Sequence, residues 1–325
     1  MSSPLNGQES SNAGAAPVAS GHPDDVWTII LAGGEGTRLQ RLTHALHGEN
    51  RPKQFAFILG DRSLLQTTVE RALRWSRAER IVVVVAAERS GLAREQLANH
   101  GAVQILAQPK SRGTAAGILL PVAHVLAQDA SAKLVILPSD HYVKDERPFE
   151  SSVRAALDAA RDGITLVGAI PDQAETQYGW IVPQRKHTRG SSGVARFFEK
   201  PAAAVASQLL QRGALWNTFV MAGSAQEFWR LCREHLPAQT ALFDAYQEAA
   251  VSPRSARVLE QIYTDMPEAD FSRQLLQQAS GLTVVPLREC GWSDWGTPER
   301  VLESLRHDRA FHVLTQCLAL AGPSC

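Results

Sequence analysis

The apolar positions of the chain change their period several times, and each change marks an element. Trp27-Thr28-Ile29-Ile30-Leu31-Ala32 is a short continuous apolar run, the pattern of a strand buried on both faces. Ser63 stands as an N-cap before Leu64, Leu65, Thr68, Val69, Ala72 and Leu73, which recur at helical spacing. Ile81-Val82-Val83-Val84-Val85 is β-branched throughout and predicts a central strand. A helix over 91–99, a strand at Val103–Leu106, a helix from Thr114 to Gln128 and a strand at Leu134–Leu137 follow. Phe149 to Arg161 reads as helix, with Val153, Ala156, Leu157 and Ala160 on one face, and Ile164–Val167 as strand. This alternation predicts an α/β fold, a mostly parallel sheet covered by helices on both faces, with ligands at the carboxyl ends of its strands. Beyond residue 170 the texture loosens. Short strands at 179–182 and 196–199 mix with helical stretches near 202–211 and 224–235, a mostly helical region over 236–280, a strand at Leu282–Val285 and a helix opened by Pro298.

The loop after the first strand carries the densest chemistry. Gly33, Gly34 and Gly36 follow Ala32, with Thr37 and Arg38 directly behind. A turn without Cβ atoms exposes successive backbone N–H groups and lets a phosphate come close. Arg38 adds a forked cation and Lys53, after Pro52, a second one. These features describe a nucleotide-phosphate site, against the plainer reading of an ordinary strand-to-helix turn. Two commoner glycine loops are excluded. A Walker A loop ends in Gly-Lys-Ser/Thr, and the chain contains no Gly-Lys pair; in G-x-G-x-x-G, the third glycine after Gly34 and Gly36 would be Leu39.

Four further constellations invite a ligand. In Gln108-Pro109-Lys110-Ser111-Arg112-Gly113-Thr114, an exposed turn into a helix can set donors against a purine edge, or Thr114 can simply cap the helix. Leu137-Pro138-Ser139-Asp140-His141 ends a buried strand, so Asp140 either projects into a crevice or holds a turn. Magnesium takes one or two carboxylates plus substrate phosphates, and imidazole suits it poorly, so His141 reads as packing. Tyr178-Gly179-Trp180, Phe198-Glu199-Lys200-Pro201 and Leu215-Trp216-Asn217-Thr218 offer hydroxyl partners, a close backbone and aromatic walls that suit a sugar. Gly291-Trp292-Ser293-Asp294-Trp295-Gly296-Thr297-Pro298 places a carboxylate in a rigid turn.

Leu31-Ala32-Gly33-Gly34-Glu35-Gly36-Thr37-Arg38-Leu39, then Pro52-Lys53-Gln54-Phe55, resembles the signature of the sugar-1-phosphate nucleotidyltransferases. The Pro-Lys-Gln-Phe ending is similar to their mannose-1-phosphate guanylyltransferase branch. The resemblance implies a Rossmann-like fold of the nucleotide-diphospho-sugar transferase type. No hexapeptide repeat is present, so no C-terminal β-helix is expected, nor room for a fused isomerase domain. It further implies that Leu31, Ala32, Gly33, Gly34, Gly36, Thr37, Arg38, Gln108, Arg112, Gly113, Thr114 and Asp140 bind the nucleotide. Gly179, Glu199, Lys200 and Asn217 would hold the sugar phosphate, Asp140 and Asp294 would ligate Mg²⁺, and Arg38, Lys53, Asp140 and Asp294 would form the catalytic set. The expected reaction is GTP plus mannose 1-phosphate giving GDP-mannose and pyrophosphate. Another sugar 1-phosphate (glucose or a heptose), another nucleotide, or a non-catalytic nucleotide-sugar-binding relative are the alternatives. Three departures from the pattern stand out: Arg41 where the family has proline, Gly113 where that branch has asparagine, and a longer spacer from His44 to Asn50.

Composition narrows the partners. Lys plus Arg and Asp plus Glu both number 33 in 325 residues, so there is no general basic surface for nucleic acid. Cys232, Cys290, Cys317 and Cys325 are scattered without a C-x-x-C pair, which excludes a zinc or redox spacing and fits reduced cysteines. Residues 1–25 are rich in Ser, Ala, Gly and Asn, lack the apolar core of a signal peptide and predict a disordered tail. No apolar run is long enough to span a bilayer, so a soluble, cytoplasmic protein without a membrane partner is expected. A nucleotidyltransferase domain over 26–308 and a helical extension over 309–325 complete the expected organisation. Phe311 to Leu320 is apolar enough to pack either on the core or on a second copy in a homo-oligomer.

Overall fold

The computed structural model describes residues 26–320, apart from 162, 186–189, 251 and 253; the expected tail over 1–25 and Cys325 lie outside them. Strands β1 (Val26–Ala32), β2 (Ile81–Ala86), β3 (Gln104–Gln108) and β4 (Lys133–Pro138) are parallel neighbours in the order β3-β2-β1-β4. They then meet β8 (Leu215–Ser224), β5 (Thr165–Ala169), β9 (Thr283–Pro286), β7 (Ser192–Glu199) and β6 (Gly179–Pro183) in one sheet. Following the pairings across it, seven of the nine strands run one way and β7 and β8 oppose them. The expected mostly parallel sheet is therefore present. From β1 the chain steps to β2 on one side and later to β4 on the other. The carboxyl ends of β1 and β4 thus flank a switch point, where open α/β sheets bind ligands.

Helices cover both faces. On one, α2 (Leu64–Ala72), α3 (Ser90–Leu97), α5 (Glu146–Ala159) and α6 (Ala203–Gln211) close a core holding Leu65, Val69, Trp75, Val153 and Ala206. On the other, α4 (Gly113–Gln128), α7 (Ala225–His235), α8 (Pro237–Ala249) and α9 (Ser255–Asp265) pack Leu119, Phe228, Phe243 and Tyr263 against the sheet. The start of α2 follows the sequence directly. Ser63 Oγ accepts from the Gln66 N–H while the Gln66 side chain accepts from the Ser63 N–H, a reciprocal cap.

β8 is the element that the pattern did not predict as a strand. Its residues 215–218 were expected to supply ligand contacts, and helix only from near 224, where α7 begins. β8 lies between β4 and β5 and is buried on both faces for most of its length, so no alternation betrays it. A bulge interrupts its register with β5: Val167 pairs with Val220, but Gly168 pairs with Asn217. Thr218 Oγ1 donates to the Val167 carbonyl at 2.6 Å inside the bulge, and Phe219 sits there at φ 59°. Because β8 runs against β4, its first residues overshoot the carboxyl end of β4 into the crevice.

The apolar C-terminal segment forms α11 (Ala310–Leu320), which packs on the chain itself. Leu314 and Leu318 join Leu39 and Leu42, with Trp295 and with Val301 of α10 (Pro298–Ser304), in a third cluster beside α1 (Gln40–His47). Arg41, the departure in the first motif, donates from Nη2 to the Leu318 carbonyl of α11 at 3.0 Å. Among the described residues no helix is long and apolar enough to cross a membrane.

Candidate active site

The glycine loop leaves β1 and is held from beneath by the turn at Lys53–Phe55. Gln54 Nε2 donates to the carbonyls of Ala32 and Gly34 at 2.8 and 2.7 Å. Gly36 has φ 60°, and a Cβ there would stand 3.0 Å from Lys53 Cβ and 3.1 Å from Lys53 N, so the loop can lie this close only with glycine. Ala32 is buried and Leu31 and Gly36 half-buried, while Gly33, Gly34, Thr37 and Arg38 are exposed. From the end of β3, the Gln108 amide reaches the same loop: a Cβ on Gly33 would be 2.7 Å from Gln108 Nε2, and Tyr263 donates to Gln108 Oε1 at 3.1 Å.

Asp140 and Asp294 stand on neighbouring loops that the Tyr142–Ser293 bridge joins, and Lys53 contacts both. Its buried ammonium lies 2.9 Å from Asp140 Oδ2, 2.5 Å from the Asp294 carbonyl and 3.2 Å from the Trp295 carbonyl. An ammonium has three N–H donors, and these contacts occupy all of them. Lys53 therefore acts here as a bolt between two loops rather than as an open phosphate ligand. Burial pushes the Asp140 carboxyl up, but the Lys53 charge and hydrogen bond outweigh it and hold its pKa below the ordinary value. His141 accepts from Trp292 Nε1 through Nδ1 at 3.3 Å, which leaves the proton on Nε2, 3.8 Å from Asp140 Oδ1.

Asp294 is held more tightly still. Its Oδ1 accepts from the Tyr178 hydroxyl at 2.6 Å, from Arg300 Nη1 at 2.9 Å and from the Gly296 N–H at 2.9 Å. Burial raises its pKa, and the Tyr178 hydrogen bond and the Arg300 charge more than reverse that, so the net shift is downward. Both carboxylates are thus kept ionised. Two ionised carboxylates on adjacent loops, with phosphate oxygens to complete the shell, offer the donor chemistry that suits Mg²⁺. Among the described residues there is no group of three or more His, Cys, Asp or Glu that could hold a metal by protein ligands alone.

Beside this pair opens a cavity of about 270 Å³, large enough for a hexose. Gly179, Glu199, Lys200 and Asn217, the four residues expected to hold a sugar phosphate, all line it, together with Asp294 and Thr114. A Cβ on Gly179 would fall 2.9 Å from Glu199 Oε2 and 3.2 Å from Asn217 Cβ, so its backbone forms the floor on which those side chains meet. Burial, and secondarily the Asp270 charge, raise the Glu199 pKa against the Lys200 ammonium 3.7 Å away. Asp270, Ser272 and Phe219 also line the cavity and belong to no motif read from the sequence.

The Arg112–Thr114 turn is stitched to the region around α9. Arg112 Nε and Nη2 donate to the carbonyls of Tyr263 and Thr264 at 2.8 and 3.2 Å, and Thr114 Oγ1 accepts from the Phe271 N–H at 2.9 Å. Gly113 has φ 78°, and a Cβ on it would lie 2.3 Å from the Ala269 carbonyl oxygen. The Arg112 fork is committed to that region, while Thr114 faces the cavity. Sequence reasoning also missed Arg300 and Glu175. Arg300 lies six residues after Asp294, within the first turns of α10, a spacing that could have flagged it. Glu175, in the loop before β6, carries no local signal.

Residues 27–310 match the nucleotidyl transferase family. The chain is 32% identical over 297 residues to the xanthan biosynthesis protein XanB of Xanthomonas campestris pv. campestris, covering 87% of this chain and 60% of that protein. To the mannose-1-phosphate guanylyltransferase of Escherichia coli (strain K12) it is 30% identical over 296 residues, with the same coverages of 87% and 60%. The chain therefore spans about 60% of the length of these curated relatives. Among solved structures, one from Thermus thermophilus described as a mannose-1-phosphate geranyltransferase aligns with a TM-score of 0.76 and 28% identity over 87% of this chain and 80% of that one. One described as a mannose-6-phosphate isomerase from Helicobacter pylori shares the fold, with a TM-score of 0.68 at 22% identity over 83% of this chain and 99% of that one. Since the family match takes in every element that builds the crevice, the chain belongs to the nucleotidyl transferase family.

Proposed function

We propose that the protein joins a sugar 1-phosphate to a nucleoside monophosphate and releases pyrophosphate, with GTP and mannose 1-phosphate as substrates and GDP-mannose as product. The observation that carries this reading is the convergence of Gly179, Glu199, Lys200 and Asn217 on one hexose-sized cavity that Asp294 also lines. The names of the curated relatives point to the same pair of substrates.

A phosphate oxygen of the sugar 1-phosphate would attack the α-phosphorus in line, forming the new P–O bond as the bond to pyrophosphate breaks. The nucleophile is already anionic and needs no general base, so the work of the protein is alignment and charge compensation. Glu199 and Asn217 orient the hexose through its hydroxyls, and Lys200 meets its phosphate. The loop N–H groups and Arg38 take the triphosphate, with Gln108 and the Arg112–Thr114 turn on the base side. Asp140 and Asp294 would hold Mg²⁺, which supplies charge neutralisation and Lewis acidity at the reacting phosphates. Lys53 keeps those two carboxylates in register. A cytoplasmic location suits such substrates.

Pyrophosphate release by the purified protein with Mg²⁺, pairing each of four nucleoside triphosphates with mannose and glucose 1-phosphates, tests the reading. Preference for GTP with mannose 1-phosphate supports it in full. Another preferred pair keeps the chemistry and moves the substrate, and binding of a nucleotide-sugar without turnover would leave only a binding protein. Asp294→Ala should abolish turnover with an unchanged circular dichroism spectrum; near-normal activity removes Asp294 from the mechanism.

A further inference from the structure

Asp294 is gripped asymmetrically. Every hydrogen bond to its carboxylate falls on Oδ1, from the Tyr178 hydroxyl, Arg300 Nη1 and the Gly296 N–H, while the residue lines the cavity and is 9% exposed. A carboxylate held by three donors on one oxygen cannot swing about its Cβ–Cγ bond without breaking them. Oδ2 is the oxygen left to meet an incoming ligand.

The donors are themselves fixed in layers. Arg300 reaches Tyr178 Oη at 2.7 Å with the same Nη1, lays its guanidinium 4.4 Å from the centre of the Tyr178 ring, and pairs through Nη2 with Glu175 Oε2. Glu175 is held in turn, since its Oε1 accepts from the Gln177 N–H at 2.7 Å and its carbonyl accepts from the fully buried Trp180 indole at 2.8 Å. The path runs from the core, through Trp180 and Glu175, to Arg300 and so to one carboxylate oxygen. A lysine could supply the charge of Arg300 but not its fork, which spans Glu175 and Asp294 at once.

We propose that Arg300 is a positioning residue which, braced by Glu175 and Tyr178, locks the Asp294 carboxylate so that Oδ2 is the oxygen presented to a divalent cation in the crevice. This deepens the functional reading above and rests on its assignment of Asp294. Partners behind a metal ligand commonly change metal affinity or activity by about 10- to 100-fold when removed.

The test titrates Mn²⁺ into the full-length chain without nucleotide, following free Mn²⁺ by electron paramagnetic resonance, in the wild type, Arg300→Lys, Arg300→Met and Glu175→Gln. If Arg300 positions Asp294, Arg300→Lys weakens Mn²⁺ binding about tenfold although the charge is kept, Arg300→Met weakens it at least as much, and Glu175→Gln moves the same way. In turnover, kcat falls and the Mg²⁺ concentration for half-activation rises, while the KM for the sugar phosphate stays within about threefold. If Arg300 merely offsets charge, Arg300→Lys binds Mn²⁺ like the wild type and Arg300→Met binds it more tightly, and the proposal fails. It fails equally if the wild type binds no Mn²⁺. Urea midpoints accompany each titration, and Glu175→Gln decides the matter should the Arg300 variants unfold. Because the Mn²⁺ comparison needs no turnover, its outcome is independent of whether the substrates are as proposed.

Discussion

Replacing Gly113 by asparagine, the residue of the pattern that the chain resembles, should cost stability here. Gly113 stands at φ 78°, a left-handed conformation that costs an L-residue about 1–2 kcal/mol, toward the low end for asparagine. A Cβ would also lie 2.3 Å from the Ala269 oxygen and 3.0 Å from its carbonyl carbon, and these backbone atoms cannot rotate aside. Making room means moving the chain, at about 1–3 kcal/mol for an overpacked site. Moving it strains two hydrogen bonds that cross the same contact, Ala115 N–H to the Ala269 carbonyl at 3.1 Å and Ala269 N–H to the Arg112 carbonyl at 3.2 Å. Each is worth about 1 kcal/mol. The expected loss is about 4 kcal/mol, read as a lower urea midpoint at unchanged slope. Gly34→Ala is the control: no atom lies within 4 Å of its Cβ position and its φ is not positive, so it should fall within about 0.5 kcal/mol of the wild type. A Gly113→Asn protein within about 1 kcal/mol of the wild type would refute the reasoning. It would mean that the turn and the segment around Ala269 are free to part.

Three further outcomes follow from the same geometry. Lys53→Met leaves Asp140 unpaired opposite Asp294 and should remove turnover and lower the urea midpoint; an unchanged midpoint would show that the bolt carries no stability. Arg41→Ala should speed amide hydrogen exchange in α11 while the sheet stays protected, and unchanged exchange would detach Arg41 from the docking of that helix. Burial lowers the His141 pKa from 6.5 to about 4 and also lowers that of His124, whose ring sits between Gln104 and Tyr246. The unfolded chain takes up protons near 6.5 that the folded, metal-free chain refuses. Stability from these groups is therefore complete above that pH and is lost as pH falls toward 4, by roughly 3 kcal/mol for His141. Equal urea midpoints at pH 7.5 and 5, in wild type and in His124→Gln alike, would contradict this.

The parts of the fold that were legible in the sequence are those whose cause is local. β1, β2 and β4 are apolar runs between turn residues, and the Ser63 cap and the glycine loop declare themselves within a few positions. Asp140 and Asp294 were singled out by the turns that carry them, but their shared role came from the resemblance; the structure adds that Lys53 contacts Asp140 Oδ2 and the Asp294 carbonyl. β8 was not legible, since a strand buried on both faces has the same apolar texture as the helices around it, and its bulge breaks any period. Glu175 was invisible for a different reason, and Arg300 was marked only by standing six residues after Asp294. They meet across 125 positions, and Arg300 meets Tyr178 across 122, distances over which no pattern of neighbours carries information. Arg41 was visible as a departure but acquires its sense only from α11, 277 residues away.

Backbone strain shows where these long-range pieces converge. Among the described residues, the non-glycine residues with positive φ are Lys200 at 46°, Phe219 at 59° and Trp295 at 45°; the first two line the cavity and the third directly follows Asp294, which does. Each such conformation costs on the order of 1–3 kcal/mol and persists only where the surroundings fix it. The means differ at each place. Trp295 is fully buried and stacked on Tyr142 at 4.6 Å, and its turn brings two successive carbonyls onto Lys53. Phe219 occupies the bulge that carries Asn217 past the end of β4, its N–H donating to Asn217 Oδ1 at 3.1 Å. Lys200 follows Glu199 out of β7, and its N–H donates to the Tyr178 carbonyl at 3.2 Å, which joins the sugar-side wall to the residue that grips Asp294. The three strained positions thus support the cation-side carboxylate, the sugar-side amide and the phosphate-side ammonium of the proposed reaction. Strain held by such neighbours places the cost of arranging the site on the surrounding fold, as a reaction that rests on alignment and charge compensation requires.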